Sequence, residues 1–243
     1  MTLRFQRSGA TSVFVVSLIE ANILRVLIEN LSRTPSRERA LRRYDALAGQ
    51  YDGTVSRIAV IRRDAIESLK LRSGERVLDV ACGTGETLLD LGDKVGPMGT
   101  VIGVEQSQAM AALATQRVRP RFSEEQIRLV VGPIEKLDID LRFDAVLMSF
   151  THDVLMNPAA MQRIAQHVKP GARIAIAGLR FLPWWWAAPL NLFNGYRARH
   201  YLTSFRGLRM PWKGALGMAP NLSVRQSYLF GSCYRAQGTI TQP

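Results

Sequence analysis

Two acidic residues stand where predicted buried strands end, and together they could hold a cationic ligand that also carries hydroxyl groups. Asp79 lies within the apolar run 77–81, and Glu105 ends the run 99–105. An acid about twenty residues beyond a glycine turn, at the end of the next strand, is placed to accept two ribose hydroxyls. An acid in the first strand suits an ammonium group. The spacing therefore favours a nucleoside-type ligand.

Two glycines follow the first acid and predict a tight turn into a helix. Gly83 and Gly85 let the backbone approach a ligand closely. Thr84 is expected to cap the helix, with an acidic residue, Glu86, near its start. The third glycine of the dinucleotide fingerprint and the Lys-Ser/Thr pair of a phosphate loop are both absent. An ordinary strand–turn–helix connection stays open as the alternative.

A histidine lies in the exit loop of a further predicted strand, and strand and loop together cover 143–153. Ser149, His152 and Asp153 lie at the end of that strand and in its exit loop. Ligands of open α/β sheets bind beyond the carboxyl ends of the strands, so these side chains are expected at the site. His152 is the candidate general base, because its ordinary pKa lies near neutrality. A loop histidine is more often a surface or capping residue, and that alternative stays open.

Strand-like and helix-like segments alternate along the chain, which predicts an α/β fold with a parallel sheet. A predicted helix at 58–71 leads into the first strand, and Ser107 is expected to cap a helix that ends at Val118. Further strands are predicted at 126–131 and 174–178. A final pair of strands, 222–230 and 232–240, is predicted about Gly231.

The order of these features resembles class I S-adenosylmethionine-dependent methyltransferases. Asp-x-Ala-x-Gly-x-Gly at 79–85 resembles their first motif, and the turn 168–173 is similar to their Lys-Pro-Gly-Gly turn. Tyr51 stands in a Tyr-Asp pair that resembles the cofactor-covering segment of the quinone-biosynthesis branch. The resemblance covers roughly 44–178. It implies a Rossmann-like, seven-stranded, mostly parallel sheet with helices on both faces and an N-terminal helical extension.

The resemblance also implies S-adenosyl-L-methionine as the cofactor, and no metal ligands are predicted. An Asp that often binds the adenine stands where this chain has Pro133, so the backbone of Ile134, or Glu135, is expected to replace it. The residues expected to bind the cofactor are Tyr51, Asp79, Ala81, Gly83, Gly85, Glu105, Gln106, Ile134, Glu135 and Ser149.

The resemblance predicts two regions. Residues 1–43 are expected to form an amphipathic helix and a linker, and residues 44–243 the methyltransferase domain. Within that domain, an insertion at 181–221 is expected to cover the acceptor. The apolar run 13–19 is interrupted too early for a spanning helix, which needs roughly 20 apolar residues. The N-terminal helix is expected to pack on the domain, to cap the site or to lie on a membrane.

The net charge of +12 is concentrated at the C-terminal end of the chain. Residues 154–243 contain eleven Lys or Arg and no acid. Such asymmetry implies an anionic partner, although a solvated basic face is the simpler explanation. Three tryptophans at 184–186 beside arginines suit an amphiphilic acceptor with an acidic head, an interfacial belt, or a hydrophobic cover over the sheet edge. Two cysteines without metal-ligand spacing favour a cytoplasmic protein.

The predicted function is methyl transfer to oxygen, nitrogen or carbon of a small-molecule or lipid-like acceptor, with peripheral membrane contact as a further expectation. An RNA methyltransferase is the first alternative. The Asn/Asp-Pro-Pro-aromatic motif of base-amino methylation is absent, however, and neither Cys82 nor Cys233 is placed as a nucleophile. A non-catalytic, membrane-associated subunit that binds the cofactor is the second alternative.

Overall fold

The computed structural model describes residues 58–199 and 201–241, together with residues 25, 29, 38, 41, 42, 45 and 46. Its strands are β1 (Arg76–Val80), β2 (Thr100–Glu105), β3 (Ile127–Val131), β4 (Phe143–Ser149), β5 (Val168–Leu179), β6 (Ser223–Tyr228) and β7 (Cys233–Thr239). Between residues 58 and 199 its α-helices are α1 (Ala59–Ser68), α2 (Glu86–Val95), α3 (Gln108–Val118), α4 (His152–Leu155), α5 (Pro158–Gln166) and α6 (Trp184–Ala198), and α6 is kinked at Ala187.

The strands form one seven-stranded sheet in the order β3-β2-β1-β4-β5-β7-β6. β1 to β5 are parallel, and β7 runs antiparallel to both of its neighbours. The central strands are buried on both faces, which explains why they are nearly continuous apolar runs. The strand order reverses between β1 and β4, and this switch point opens a crevice at the carboxyl ends. The predicted mostly parallel sheet is confirmed.

Alternate side chains of the same strands feed two separate cores. Val77 and Leu147 face the core that α1, α2 and α3 build. Leu78 and Met148 face the other core, which is closed by α5 and by the segment 211–222. The period-two alternation of a strand produces this division. The expectation of helices on both faces of the sheet is therefore confirmed.

The N-terminal extension falls mostly outside the described residues. Arg25 and Glu29 are helical, and so are Glu38, Leu41 and Arg42 in the segment expected to be a linker. The amphipathic stripe predicted before residue 30 and the Tyr-Asp pair at Tyr51 lie outside the described residues.

The turn after β1 differs from the prediction at one residue. α2 begins at Glu86, and Gly85, not Thr84, occupies the N-cap position with a left-handed φ of +81°. The cap position requires a conformation that glycine adopts at little cost. Thr84 instead accepts hydrogen bonds from Arg117 at its carbonyl oxygen (2.6 Å) and its hydroxyl (3.0 Å). Ser107 caps α3 as predicted, accepting from the Met110 amide.

Residues 181–221 form a long connection between β5 and β6. It contains α6 and a 3₁₀ turn, Pro211–Ala215. Asn191 fixes α6 to the preceding chain, since its side chain donates to the Leu182 carbonyl (2.8 Å) and accepts from the Leu182 amide (3.0 Å). Of the helices that the structure describes, none has the length and apolar character needed to cross a bilayer.

We expect Gly85→Ala to destabilise the protein more than Gly74→Ala does. Both glycines have a left-handed φ (+81° and +85°), so alanine is strained at either position by about 1 kcal/mol. At Gly85 an added Cβ would also lie 2.9 Å from the Ala114 Cβ of α3, whereas at Gly74 it meets nothing within 4 Å. Denaturant unfolding measures the difference. Equal losses in the two variants would contradict the close packing of this turn on α3.

Candidate functional site

A cleft opens at the carboxyl edge of the sheet, where β1, β2 and β4 end. It contains about 800 Å³ of empty space, a volume that includes open solvent at its mouth. The turn after β1 forms one wall and the loop after β4 forms the other. Among the predicted residues, the wall contains Asp79, Ala81, Gly83, Glu105, Gln106, Ser149 and His152.

Asp79 is a buried carboxyl group on the floor of this cleft. The Thr87 hydroxyl donates to its Oδ2 at 2.5 Å. Burial raises the pKa of Asp79 to about 7, although the Thr87 hydrogen bond and the nearby Arg62 guanidinium oppose that rise. A desolvated carboxylate gains much from a cationic partner, because burial penalises the charged form when it stands alone. The site therefore favours a ligand with a positive group beside Asp79.

Glu105 joins the ends of β1 and β2. Its Oε2 accepts from the Gly83 amide (3.0 Å), and its Oε1 accepts from the Ser107 amide (2.8 Å). Burial raises the pKa of Glu105, and these amide bonds oppose the rise. A carboxylate oxygen has two lone pairs, so each oxygen keeps accepting capacity after its amide bond. The carboxylate is thus held rigidly and can accept two ligand hydroxyls.

The β4 wall carries several buried polar atoms that have no hydrogen-bond partner among the described residues. These atoms are Ser149 Oγ, Thr151 Oγ1 and His152 Nδ1. All three residues line the cleft. Buried polar groups are nearly always hydrogen-bonded in folded proteins, because an unpaired one costs free energy. Three such atoms on one wall indicate a polar ligand or bound water at this edge.

His152 has a defined tautomer. Its Nε2 lies 2.9 Å from the Arg206 carbonyl oxygen, and a carbonyl can only accept, so Nε2 carries the proton. Nδ1 then holds the lone pair of the neutral ring. Burial lowers the pKa of His152, with the Asp153 carboxylate and the Arg206 carbonyl opposing that shift. The ring is therefore neutral near pH 7, with an available acceptor atom.

Asp153 contacts the insertion. Its Oδ2 accepts from the Thr203 hydroxyl (2.6 Å) and the Thr203 amide (3.3 Å).

Two residues beside the cleft have a left-handed φ without being glycine, Ala81 (+53°) and Phe150 (+59°). Such conformations cost about 1–3 kcal/mol and concentrate at functional sites.

The structure keeps three of the predicted cofactor residues off the cleft wall. Gly85 faces α3, where it packs against Ala114. Ile134 begins a 3₁₀ turn and its side chain belongs to the hydrophobic core. The Glu135 carbonyl accepts a hydrogen bond from Arg163 at 3.3 Å. Tyr51 lies outside the described residues.

Several wall residues escaped the sequence reasoning. Arg62 of α1 lines the cleft and forms an ion pair with Glu86, although α1 lies outside the motifs that the sequence offered. Thr87 could have been predicted to line the cleft, because the first turn of the helix after the glycines must lie near the end of β1. Leu202 reaches the cleft from the insertion beside Tyr201, and nothing in its local sequence marks it.

Residues 77–171 match the family model described as "Methyltransferase domain". These residues form a methyltransferase domain. The match begins at the first residues of β1 and ends at the turn within β5, so it contains all of the strands that build the cleft floor. The resemblance to class I S-adenosylmethionine-dependent methyltransferases is thereby confirmed.

Relatives of known name extend over the same part of the chain. It is 32% identical over 117 residues to a demethylmenaquinone methyltransferase of Lactobacillus johnsonii, covering 47% of this chain and 48% of the relative. It is 32% identical over 142 residues to a 2-phytyl-1,4-naphtoquinone methyltransferase of Synechococcus elongatus, covering 55% and 60%. The chain thus spans about half the length of the curated relatives it matches.

Solved structures share the fold over most of the chain. A putative O-methyltransferase of Nostoc punctiforme superimposes with a TM-score of 0.64 at 10% identity, covering 90% of this chain and 66% of that one. A putative methyltransferase of Haloferax volcanii, solved with its Trm112 activator, gives 0.61 at 16% identity and covers 82% and 98%. These likenesses establish the class I architecture.

We expect Asp79→Asn to alter how stability depends on pH. The folded pKa of Asp79 lies near 7, above its ordinary value of 3.8, so the folded state binds the proton more tightly. That contribution is fully present below about pH 4 and is lost as pH rises through 7. As pH rises from about 4 to 7, the free energy of unfolding of wild type should therefore fall by roughly 4 kcal/mol at most relative to that of Asp79→Asn, which corresponds to about three pKa units. Denaturant unfolding at pH 5 to 8, without ligand, measures the difference. A constant difference would contradict the raised pKa.

Proposed function

We propose that this chain transfers the methyl group of S-adenosyl-L-methionine to a small amphiphilic acceptor. The observation that carries the proposal is the pair of buried carboxyl groups, Asp79 and Glu105, at the switch point of a methyltransferase domain. The relatives named above act, by their names, on quinone precursors. Their names supply the acceptor class, because the cleft alone does not distinguish one small acceptor from another.

The residues present fit this cofactor. Glu105, held by two backbone amides, would accept the ribose hydroxyls. Asp79 would face the ammonium group, whose charge offsets the cost of burying its carboxylate. The Gly83 turn allows close approach of the backbone, and Ala81, Gln106 and Ser149 complete the wall. When bound, the cofactor supplies an electrophilic methyl group on a sulfonium sulfur.

Gly85, Ile134 and Glu135 have indirect roles in this proposal. Gly85 shapes the turn by allowing α3 to approach it. Ile134 anchors its 3₁₀ turn in the core, and Glu135 holds Arg163 through its carbonyl. The adenine would then be bound by the part of the wall that contains Gln106 and Met110. Tyr51 remains a proposed cover for the cofactor.

His152 is the proposed base for an acceptor that loses a proton. Its Nδ1 would take the proton from an acceptor hydroxyl or acidic carbon while the acceptor forms its bond to the methyl group. The Arg206 carbonyl keeps Nδ1 in the accepting form by holding the proton on Nε2. The cleft walls would align the reacting atoms, a large contribution that a protein makes to such a displacement.

The insertion would bind the acceptor body. Tyr201 and Leu202 bring it to the cleft, and α6 lies directly before them along the chain. The basic C-terminal end of the chain suits an anionic group on the acceptor. Peripheral contact with a membrane would give access to a lipid-like acceptor.

We expect Glu105→Gln to weaken S-adenosylmethionine binding by about tenfold or more, as hydrogen bonds to charged groups contribute about 1.5–3 kcal/mol. Both carboxylate oxygens of Glu105 accept from backbone amides, so in the variant the NH₂ donor of Gln would face one of these N–H donors. Isothermal calorimetry measures the dissociation constant. Glu124→Gln, at an exposed acid far from the cleft, is the matched control and should leave it unchanged. An unaltered constant in Glu105→Gln would refute the ribose role.

We expect His152→Gln to reduce turnover by about 10²–10⁴-fold while cofactor affinity changes only a few-fold. Gln can still donate to the Arg206 carbonyl, so the variant removes the base and keeps the hydrogen bond that supports it. His167→Gln is the control, because His167 is also buried, with Nδ1 2.9 Å from the Arg163 carbonyl, and does not line the cleft. Equal turnover in His152→Gln and wild type would rule out the base assignment.

The activity itself is tested by transfer of labelled methyl from S-adenosylmethionine to membrane and soluble extracts, followed by mass spectrometry of the product. Label in a quinone precursor or another amphiphile supports the proposal. Label in RNA would establish the alternative acceptor. Saturable cofactor binding without transfer to any fraction would leave only the binding function.

A further inference from the structure

The outward face of α6 is apolar, the reverse of an ordinary surface helix. Trp185 is 87% exposed, and Trp186 and Phe193 are at least half exposed. The opposite face, with Ala187, Asn191 and Gly195, is buried against the domain. Large aromatic side chains thus point to solvent from a helix that is already anchored.

A second exposed apolar element lies beside the start of α6. The 3₁₀ turn Leu229–Gly231 between β6 and β7 presents Leu229 (56% exposed) and Phe230 (90% exposed). Both residues have a left-handed φ, +49° and +55°, a costly conformation for bulky side chains. Arg180 holds the turn to the end of β5, since its Nε donates to the Gly231 carbonyl at 2.7 Å.

Both elements lie at the carboxyl edge of the sheet, and we call their exposed apolar side chains together the edge patch. It consists of Trp185, Trp186, Phe193, Leu229 and Phe230. α6 follows the carboxyl end of β5, and the turn meets the same end, because Leu179 of β5 pairs with Cys233. The cleft opens at this edge as well. The edge patch therefore belongs to the side of the molecule on which the cleft opens.

The charged residues on α6 and on the loop that follows it are all basic, while Asp64 of α1 accepts a hydrogen bond from Tyr228 beside the turn (2.7 Å). Arg197 lies over the Phe193 ring at 5.6 Å, and Arg206 and Arg209 are exposed on the loop that follows α6. No acidic residue occurs after Asp153. Cations beside exposed aromatic rings match the anionic headgroup layer of a bilayer, where aromatic side chains also concentrate.

We propose that the edge patch docks the protein on an anionic lipid bilayer. Trp185, Phe193 and Phe230 enter the headgroup boundary, while the arginines contact lipid phosphates. That this docking presents the cleft to a lipid-like acceptor rests on the proposed function; the docking itself does not. Aromatic and arginine side chains also suit single-stranded RNA. The aliphatic Leu229 and the thioether of Met210, both about half exposed, favour lipid over base stacking.

The experiment is co-sedimentation of the full chain with phosphatidylcholine vesicles, with and without phosphatidylglycerol. We expect binding to the anionic vesicles, weakened by salt, together with a blue shift of tryptophan fluorescence. The double variant Trp185→Ala/Phe230→Ala should bind about tenfold more weakly or worse, because it loses two large apolar groups. Arg197→Glu should bind at least about fivefold more weakly.

Two matched controls lie before strands of the sheet, at its opposite edge. Met98→Ala removes an apolar side chain that is 81% exposed, and Arg72→Glu makes the same charge change as Arg197→Glu. Both should keep wild-type vesicle binding. Calorimetry with S-adenosylmethionine, without vesicles, should give the wild-type constant for the edge-patch variants. If the wild-type protein showed no binding of S-adenosylmethionine, the proposed function would be refuted and the docking proposal would stand.

Other outcomes overturn the docking proposal. One is an equal loss of vesicle binding in the controls and in the edge-patch variants. Another is binding of the protein to RNA oligonucleotides but to neither type of vesicle. A third is that the edge-patch variants change self-association, measured by light scattering, and leave vesicle binding unchanged. Failure of wild type to sediment with anionic vesicles also overturns it, while methyl transfer to a soluble acceptor would still support the proposed function.

Discussion

The burial of two carboxyl groups at neighbouring strand ends is the constraint on which the rest of the cleft depends. Asp79 and Glu105 would destabilise an apolar edge if they lacked partners. The Thr87 hydroxyl and the Gly83 and Ser107 amides supply those partners. Since Gly83 belongs to the turn after β1 and Ser107 caps α3, satisfying the acids also fixes the turn and the entry of that helix.

The opposite wall depends on contacts between distant parts of the chain. The His152 ring is held by the Arg206 carbonyl, and Asp153 is held by Thr203. Both bonds join the segment after β4 to the part of the insertion that follows α6. The tautomer of the ring and the position of the insertion are therefore coupled, so a shift of the insertion would change which nitrogen of His152 can accept a proton.

Sequence reasoning succeeded where local patterns decide the structure. The apolar runs predicted the sheet, and the spacing from the glycine turn brought Asp79 and Glu105 to one cleft. It failed at Thr84, because left-handed geometry outweighed the side-chain preference for a cap. It could not find the partner of His152, since the ring is 54 residues from Arg206 along the chain and the acceptor is a backbone carbonyl that any residue would supply.

In the insertion, α6 buries its small and polar residues and exposes its large aromatic residues, which is the reverse of the usual pattern of a surface helix. Asn191 and Gly195 allow α6 to pack closely, and the large aromatic side chains are displaced to the outside. Folding gains little from Trp185, which is 87% exposed, or from Phe230 in a left-handed conformation. Features that cost stability in the isolated chain and lie on the same side as a polar cleft are best explained by contact with a second apolar phase, which would offset their cost.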